Sequence, residues 1–302
     1  MISLAFALWL APAPAIAAIE PVAAESILVT TSWLNERMKR PGLVIFEIGA
    51  KPEYDAGHIP GAQFITMRDI AAPRVEGQLA LELPDPARLD SVLEARGVSD
   101  DSHVVLYFGK DWVSPTSRVF LTLEWIGLRG RVSILDGGLP AWRAENLPVS
   151  TEVPVITKGN FTPHVRNDVV VDAAWVSRHL ADPTVAVIDA RDAGFYNDSL
   201  DNEMPRGGHI AGANNIPFGT VVIEDNHLKN PAELRALFTA AGAEPGDTVV
   251  SYCHIGQQGT LVFFAARLLG YNVRLYDGSF EDWSKRTDLP VEGARRAAAP
   301  SN

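Results

Sequence analysis

Short runs of apolar, often β-branched residues recur along the chain, each closed by Gly, Asp or Pro and followed by a stretch with helical spacing. In the second half, "AVIDA" at 186–190, "DTVVSYC" at 247–253 and "VRLYDG" at 273–278 predict strands. "GTLVFFAARLLGYN" at 259–272 predicts a helix that Gly270 is placed to end. Strands this uniformly apolar, alternating with helices, imply a parallel sheet covered on both faces. The predicted class is α/β, with ligands expected beyond the carboxyl ends of the strands.

The pattern occurs twice. "VTTSWL" at 29–34 answers "VDAAWV" at 171–176, "GHIPGA" at 57–62 answers "GHIAGA" at 208–213, and "HVVLYF" at 103–108 answers "TVVSYC" at 248–253. "LDGGLPAW" at 135–142 answers "YDGSFEDW" at 276–283. A period this long means duplicated domains, not a short-repeat solenoid. The expected division is a leader at 1–25, a first domain at 26–150, a polar linker at 151–168, a second domain at 169–295 and a tail at 296–302.

Composition changes this picture little. The 302 residues are 47% hydrophobic and 21% charged, enough for a sizeable core. Net charge is −11 and no Lys/Arg-rich block occurs, so nucleic acid is not an expected partner. No metal-ligand spacing, Walker loop or dinucleotide fingerprint is present, so no cofactor is expected. The N-terminus is different in kind. It is apolar to Glu20, lacks a basic start, and carries Ala15-Ile16-Ala17, which fits an A-x-A cleavage site. Pro12 and Pro14 disfavour a membrane-spanning helix there. The expectation is a cleaved export signal and a periplasmic or secreted protein, with an uncleaved anchor as the alternative and no later membrane span.

Cys253 is the only cysteine, so an internal disulfide is excluded. It stands between a strand and a loop carrying Gly256 and Gly259 that leads into a helix. Successive loop amides and the helix N-terminus together favour an anion, and so the thiolate. The stretch alone leaves two readings open: a reactive thiol, or a small buried hydrophobe.

Taken together, the duplication, the twin "GHI" motifs, the "DGG"/"DGS" turns before tryptophan and a cysteine loop in the second half alone resemble the tandem-domain rhodanese sulfurtransferases. The resemblance spans about residues 26–295. It implies two α/β rhodanese domains, the first inactive, and a cysteine in the second that carries sulfane sulfur as a persulfide. The implied partners are a small anionic donor, thiosulfate or 3-mercaptopyruvate, and a thiol or cyanide acceptor. Cys253 matches the persulfide cysteine, and His254, Ile255, Gly256, Gln257 and Gln258 match the rest of its loop, whose amides would bind substrate. Phe108 stands in the first half where Cys253 stands in the second, in a loop expected to be two residues longer, with Trp112 expected to pack there or, as the alternative, to shield the interface.

Departures from the family pattern leave the donor open. "CHIGQQ" has neither the basic residues of the thiosulfate type nor the small residues and serine of the mercaptopyruvate type. Phe195 stands where both types of the family usually have arginine. Arg206 matches an arginine that binds carboxylate in the mercaptopyruvate branch, and Arg191 is a second candidate that could instead pair beneath the sheet. His58 could face the site from the first domain, although its twin His209 argues for a shared role in the fold. His254 could contact the donor or shuttle a proton, or simply be solvated. Glu47 and Asp189 are expected to satisfy local backbone or Arg191, Asp136 and Asp277 to bond their own turns, and Trp142 and Trp283 to be core. Two alternatives remain beside the sulfurtransferase. A cysteine-dependent phosphatase or arsenate reductase would need arginine where Gly259 stands. A non-enzymatic sulfur carrier or thiol sensor would accept sulfur without turnover.

Overall fold

The structure, a computed structural model, describes residues 26–110, 113–201 and 203–293. The leader at 1–25, Trp112 and the tail at 296–302 lie outside the described residues. Within them, no helix is long and apolar enough to cross a membrane.

The first half forms β1 (Leu28–Val29), β2 (Leu43–Ile48), β3 (Gln63–Ile65), β4 (His103–Phe108) and β5 (Val132–Leu135). The second forms β6 (Val170–Val171), β7 (Val185–Asp189), β8 (His209–Ile210), β9 (Asn214–Asn215), β10 (Thr248–Tyr252), β11 (Asn272–Tyr276) and β12 (Val291–Glu292). The sheet orders are β1-β5-β4-β2-β3 and β6-β11-β10-β7-β9, the same topology twice. Every pairing in both is parallel. β8 and β12 add a small antiparallel pair. β4 is buried at every position, as a central strand covered on both faces must be.

The repeats match in detail because the same local chemistry recurs. Thr30 and Asp172 cap equivalent helices, accepting from the N–H of Trp33 and Trp175. Trp142 and Trp283 are fully buried in the two outer cores and donate Nε1–H to the carbonyls of Pro148 at 2.7 Å and Pro290 at 2.9 Å. The helix after Phe108 begins at Ser114 and that after Cys253 at Gly259, an equal spacing. The extra length of the first half therefore lies not in that loop but beyond the helix, in a π turn at Glu124–Leu128 with Gly127 at φ 122°.

The inner faces do not form separate cores. Phe46, Leu106 and Leu121 from the first half join Val249, Phe264 and Leu275 from the second in one apolar cluster. At its centre the helices Ser114–Leu123 and Gly259–Leu268 meet, with Phe120 edge-on to Phe264 at 4.8 Å. Gly259 through Ala266 are all buried, as a helix apolar on every side requires. The segment 151–168 is stitched along the first half. Gly159 donates to the Glu94 carbonyl at 2.8 Å, and His164 to the Ile126 carbonyl at 2.8 Å. Val155 is 99% exposed.

Candidate active site

Cys253 follows the last residue of β10 and is 1% exposed. Its backbone is pinned from the next turn of the fold. The Cys253 N–H donates to Ser279 Oγ at 3.2 Å, and its carbonyl accepts from the Phe280 N–H at 2.9 Å. The His254 carbonyl accepts from the Glu281 N–H at 2.9 Å. Beyond that, the N–H groups of His254, Ile255, Gly256, Gln257 and Gln258 meet no acceptor among the described residues. The helix Gly259–Leu268 then adds its own N-terminal amides. Five free amides and a helix N-terminus beside one thiol form a site suited to a sulfur anion. Gly256 makes the curl possible: its φ is +78°, and a Cβ there would lie 2.7 Å from the Asp277 carbonyl oxygen.

The first domain completes this loop. Arg118, fully buried, donates Nη1 to the Gly256 carbonyl at 2.9 Å and to Asp277 Oδ1 at 2.5 Å, and Nη2 to the Leu81 carbonyl. Gln257 Nε2 donates to Ser114 Oγ at 3.3 Å, and the Ser117 and Thr260 hydroxyls are 2.8 Å apart. Asp277 was expected to bond its own turn; instead it is the carboxylate of an interdomain ion pair. Asp136 behaves alike, accepting from the Leu228 N–H at 3.0 Å and lying 3.1 Å from His227 Nδ1. A turn carboxylate satisfies its own backbone only when no donor from elsewhere reaches it, and here a donor of the other half does in each case.

Arg191 is where its structural reading placed it. Its guanidinium grips Asp189 through Nε and Nη2 at 2.6–3.1 Å and donates Nη2 to the Gly208 carbonyl at 2.7 Å. It lies over the Phe280 ring at 4.0 Å. Burial disfavours its charge, but Asp189, with smaller contributions from Tyr252 and Cys253, outweighs that and raises its pKa. Arg191 thus supplies buried positive charge near the thiol while its Nη1 keeps no hydrogen-bond partner among the described residues. Half-buried His254 stands edge-on to Phe195 at 4.7 Å. Burial, and then the charge of Arg191, push the His254 pKa down, so the ring is neutral near pH 7.

Two expected site residues are elsewhere. Arg206 donates to the carbonyls of Ser284, Leu289, Trp283 and Arg286, at 2.5–3.1 Å. It closes the C-terminus of the helix Ser279–Lys285, whose N-terminus touches Cys253, and a helix that long separates the two by roughly 10 Å. Orphan carbonyls at a helix end compete for an arginine as a substrate carboxylate would. His58 is fully buried, stacked on Tyr54 at 3.8 Å, with Nδ1 and Nε2 at 2.9 and 3.1 Å from the Tyr54 and Glu152 carbonyls. His209 repeats that arrangement against Tyr196. These histidines brace turns and do not face the cysteine loop.

Ser279 and Arg118 were missed, though the repeat carried a sign of the former. Ser279 occupies the place of Gly138, and both have positive φ, +51° and +55°. A serine held in a glycine conformation is strained, and strain of that kind gathers at working sites. Its hydroxyl holds the cysteine amide.

The Rhodanese-like domain family matches residues 30–145 and again 172–286. A Pseudomonas aeruginosa protein named "Probable 3-mercaptopyruvate sulfurtransferase" is 33% identical over 277 residues, 87% of this chain and 97% of that one. A Corynebacterium glutamicum thiosulfate sulfurtransferase is 31% identical over 299 residues, covering 93% and 95%. The crystal structure of SseA from Escherichia coli, a 3-mercaptopyruvate sulfotransferase, superposes with TM-score 0.74 at 30% identity over 84% of this chain and 99% of that one. With two matched domains, one fold repeated and one cysteine cradled by its loop, the chain belongs to the tandem-domain rhodanese sulfurtransferases.

Proposed function

We propose that Cys253 is the sulfur-carrying group and that the donor is thiosulfate or 3-mercaptopyruvate. The observation that supports this most is the set of unengaged amides from His254 to Gln258 around the one thiol. The Cys253 thiolate attacks the outer sulfur of thiosulfate, the donor S–S bond breaks, and sulfite leaves with the electron pair. With mercaptopyruvate the C–S bond breaks instead, and the three-carbon fragment takes up a proton as pyruvate. The amides and the buried charge of Arg191 stabilise the resulting persulfide anion. Cyanide or a thiolate then takes the outer sulfur, and Cys253 leaves as thiolate. Neutral His254 accepts or gives a hydrogen bond at the loop without adding charge.

Protein treated with thiosulfate should gain the mass of one sulfur atom on the peptide containing Cys253, and cyanide should remove it. Cys253→Ser should fold, gain no sulfur and form no thiocyanate. Sulfur found on another residue would overturn the assignment. The N-terminal pattern to Ala17 supports export, with removal of the leader, to the periplasm or the medium. N-terminal sequencing of native protein tests it, and an intact Met1 in the cytoplasmic fraction would refute it.

A further inference from the structure

The cysteine loop carries no lysine or arginine, Phe195 replaces a usual arginine, and Arg206 is occupied by carbonyls. Arg191 is committed to Asp189. Yet a cavity of about 610 Å³ opens on the loop, and its far wall is basic. Ile255 and Gln257 form one side; Met67, Arg68, Arg74 and Leu81 of the first domain are among the residues forming the other. Arg68 and Arg74 are exposed, and neither side chain makes a hydrogen bond or ion pair among the described residues. The wall itself is fixed. Arg88 donates to the carbonyls of Ala71 at 2.6 Å and Arg68 at 2.8 Å, and the Ala80 N–H donates to Glu281 Oε2 at 2.9 Å. Two unneutralised guanidinium groups held over a reactive loop in a protein of net charge −11 are poised for an anionic ligand. The volume is in the range that holds ligands well beyond the size of thiosulfate or cyanide.

We infer that Arg68 and Arg74 are the specificity residues for the sulfur acceptor, and that this acceptor is an organic thiol bearing carboxylates several bonds from its sulfur. The inference rests on Cys253 being the sulfur carrier. The carboxylates bind the two guanidinium groups and the thiolate reaches the persulfide through the Ile255–Gln257 side. The acceptor thiolate forms a bond to the outer sulfur, the enzyme S–S bond breaks, and the electron pair returns to Cys253. The products are the acceptor persulfide and the free thiolate, with no further oxidant or reductant. The inactive domain thereby contributes half of the substrate site.

The test uses the full chain with thiosulfate saturating for each variant. Glutathione, with two carboxylates remote from its thiol, is compared with uncharged 2-mercaptoethanol for wild type, Arg68→Ala, Arg74→Ala and the double variant. The double variant should raise KM for glutathione by about tenfold or more, change KM for 2-mercaptoethanol by less than about twofold, and leave kcat within about twofold. An unchanged glutathione KM, or an equal rise for both thiols, overturns the inference. Calorimetric binding of unreactive S-methylglutathione separates the two readings. Binding lost in the double variant supports the arginine site even if wild type transfers no sulfur, and binding that is absent from wild type or insensitive to both arginines refutes it.

Discussion

The Gly256 carbonyl, inside the cysteine loop, accepts a 2.9 Å hydrogen bond from Arg118, a fully buried arginine of the opposite domain. The same Nη1 reaches Asp277, whose own carbonyl oxygen sits against Gly256. Arg118 therefore clamps both the loop and the turn that pins it. Arg118→Met should destabilise the protein by about 3 kcal/mol, because it strands the Asp277 carboxylate in the interface. Arg118→Met with Asp277→Asn should cost less than the sum of the two single changes, since they share one interaction. Urea unfolding of the four proteins checks this, and strict additivity would contradict the clamp.

Arg206 should behave as a structural residue. Arg206→Ala frees four carbonyls at the end of the helix Ser279–Lys285 and should lower stability by roughly 1–3 kcal/mol. KM for thiosulfate and for an uncharged persulfide donor should change by equal factors. A selective rise for the anion would return Arg206 to the substrate site.

Much of this was legible in the chain, and what was not has a common cause. The duplicated motifs announced two parallel α/β domains, because burial on both faces leaves apolar runs and turn chemistry leaves fixed residues. Cys253 and its loop stood out in the sequence because their neighbours are local. Arg206 and His58 misled for the same reason that Arg118 stayed hidden: a long polar side chain is claimed by whichever unsatisfied group lies nearest in space. For Arg206 these are the carbonyls of Trp283 to Leu289, and for Arg118 the carbonyl of Gly256. Neither neighbourhood is readable from spacing along the chain.

Glu47 gives the first domain a pH dependence. It is the twin of Asp189, but Gly49 stands where Arg191 would neutralise it. Glu47 is fully buried, accepts the Tyr107 hydroxyl at 2.5 Å, and leaves Oε1 without a partner among the described residues. Burial raises its pKa, outweighing the hydrogen bond from Tyr107 and the charge of His58. The folded state thus holds this proton more tightly than the unfolded chain. Stability from this group is present below the ordinary carboxyl pKa and is lost as pH rises through the raised value. Glu47→Gln should leave stability at pH 4 nearly unchanged and raise it at pH 7.5 by on the order of 1 kcal/mol. Thermal unfolding at both pH values reads the difference, and equal effects at the two would refute the sign.

Phe108 stands in place of the thiol, so residues 26–150 expressed alone should transfer no sulfur. A thiocyanate assay on that fragment decides it, and measurable turnover would contradict the placing of the chemistry in the second half.

The shared inner core also determines what the peptide connection contributes. Phe120 and Phe264 belong to one continuous apolar cluster, and residues 157–164 already lie along the first half. The link holds the halves at a high effective concentration, and the core supplies the affinity between them. A chain nicked by protease at exposed Val155 should therefore migrate as one particle in size exclusion and keep its activity. Dilution into mild urea should then dissociate it in a concentration-dependent way, turning a unimolecular unfolding transition into a bimolecular one.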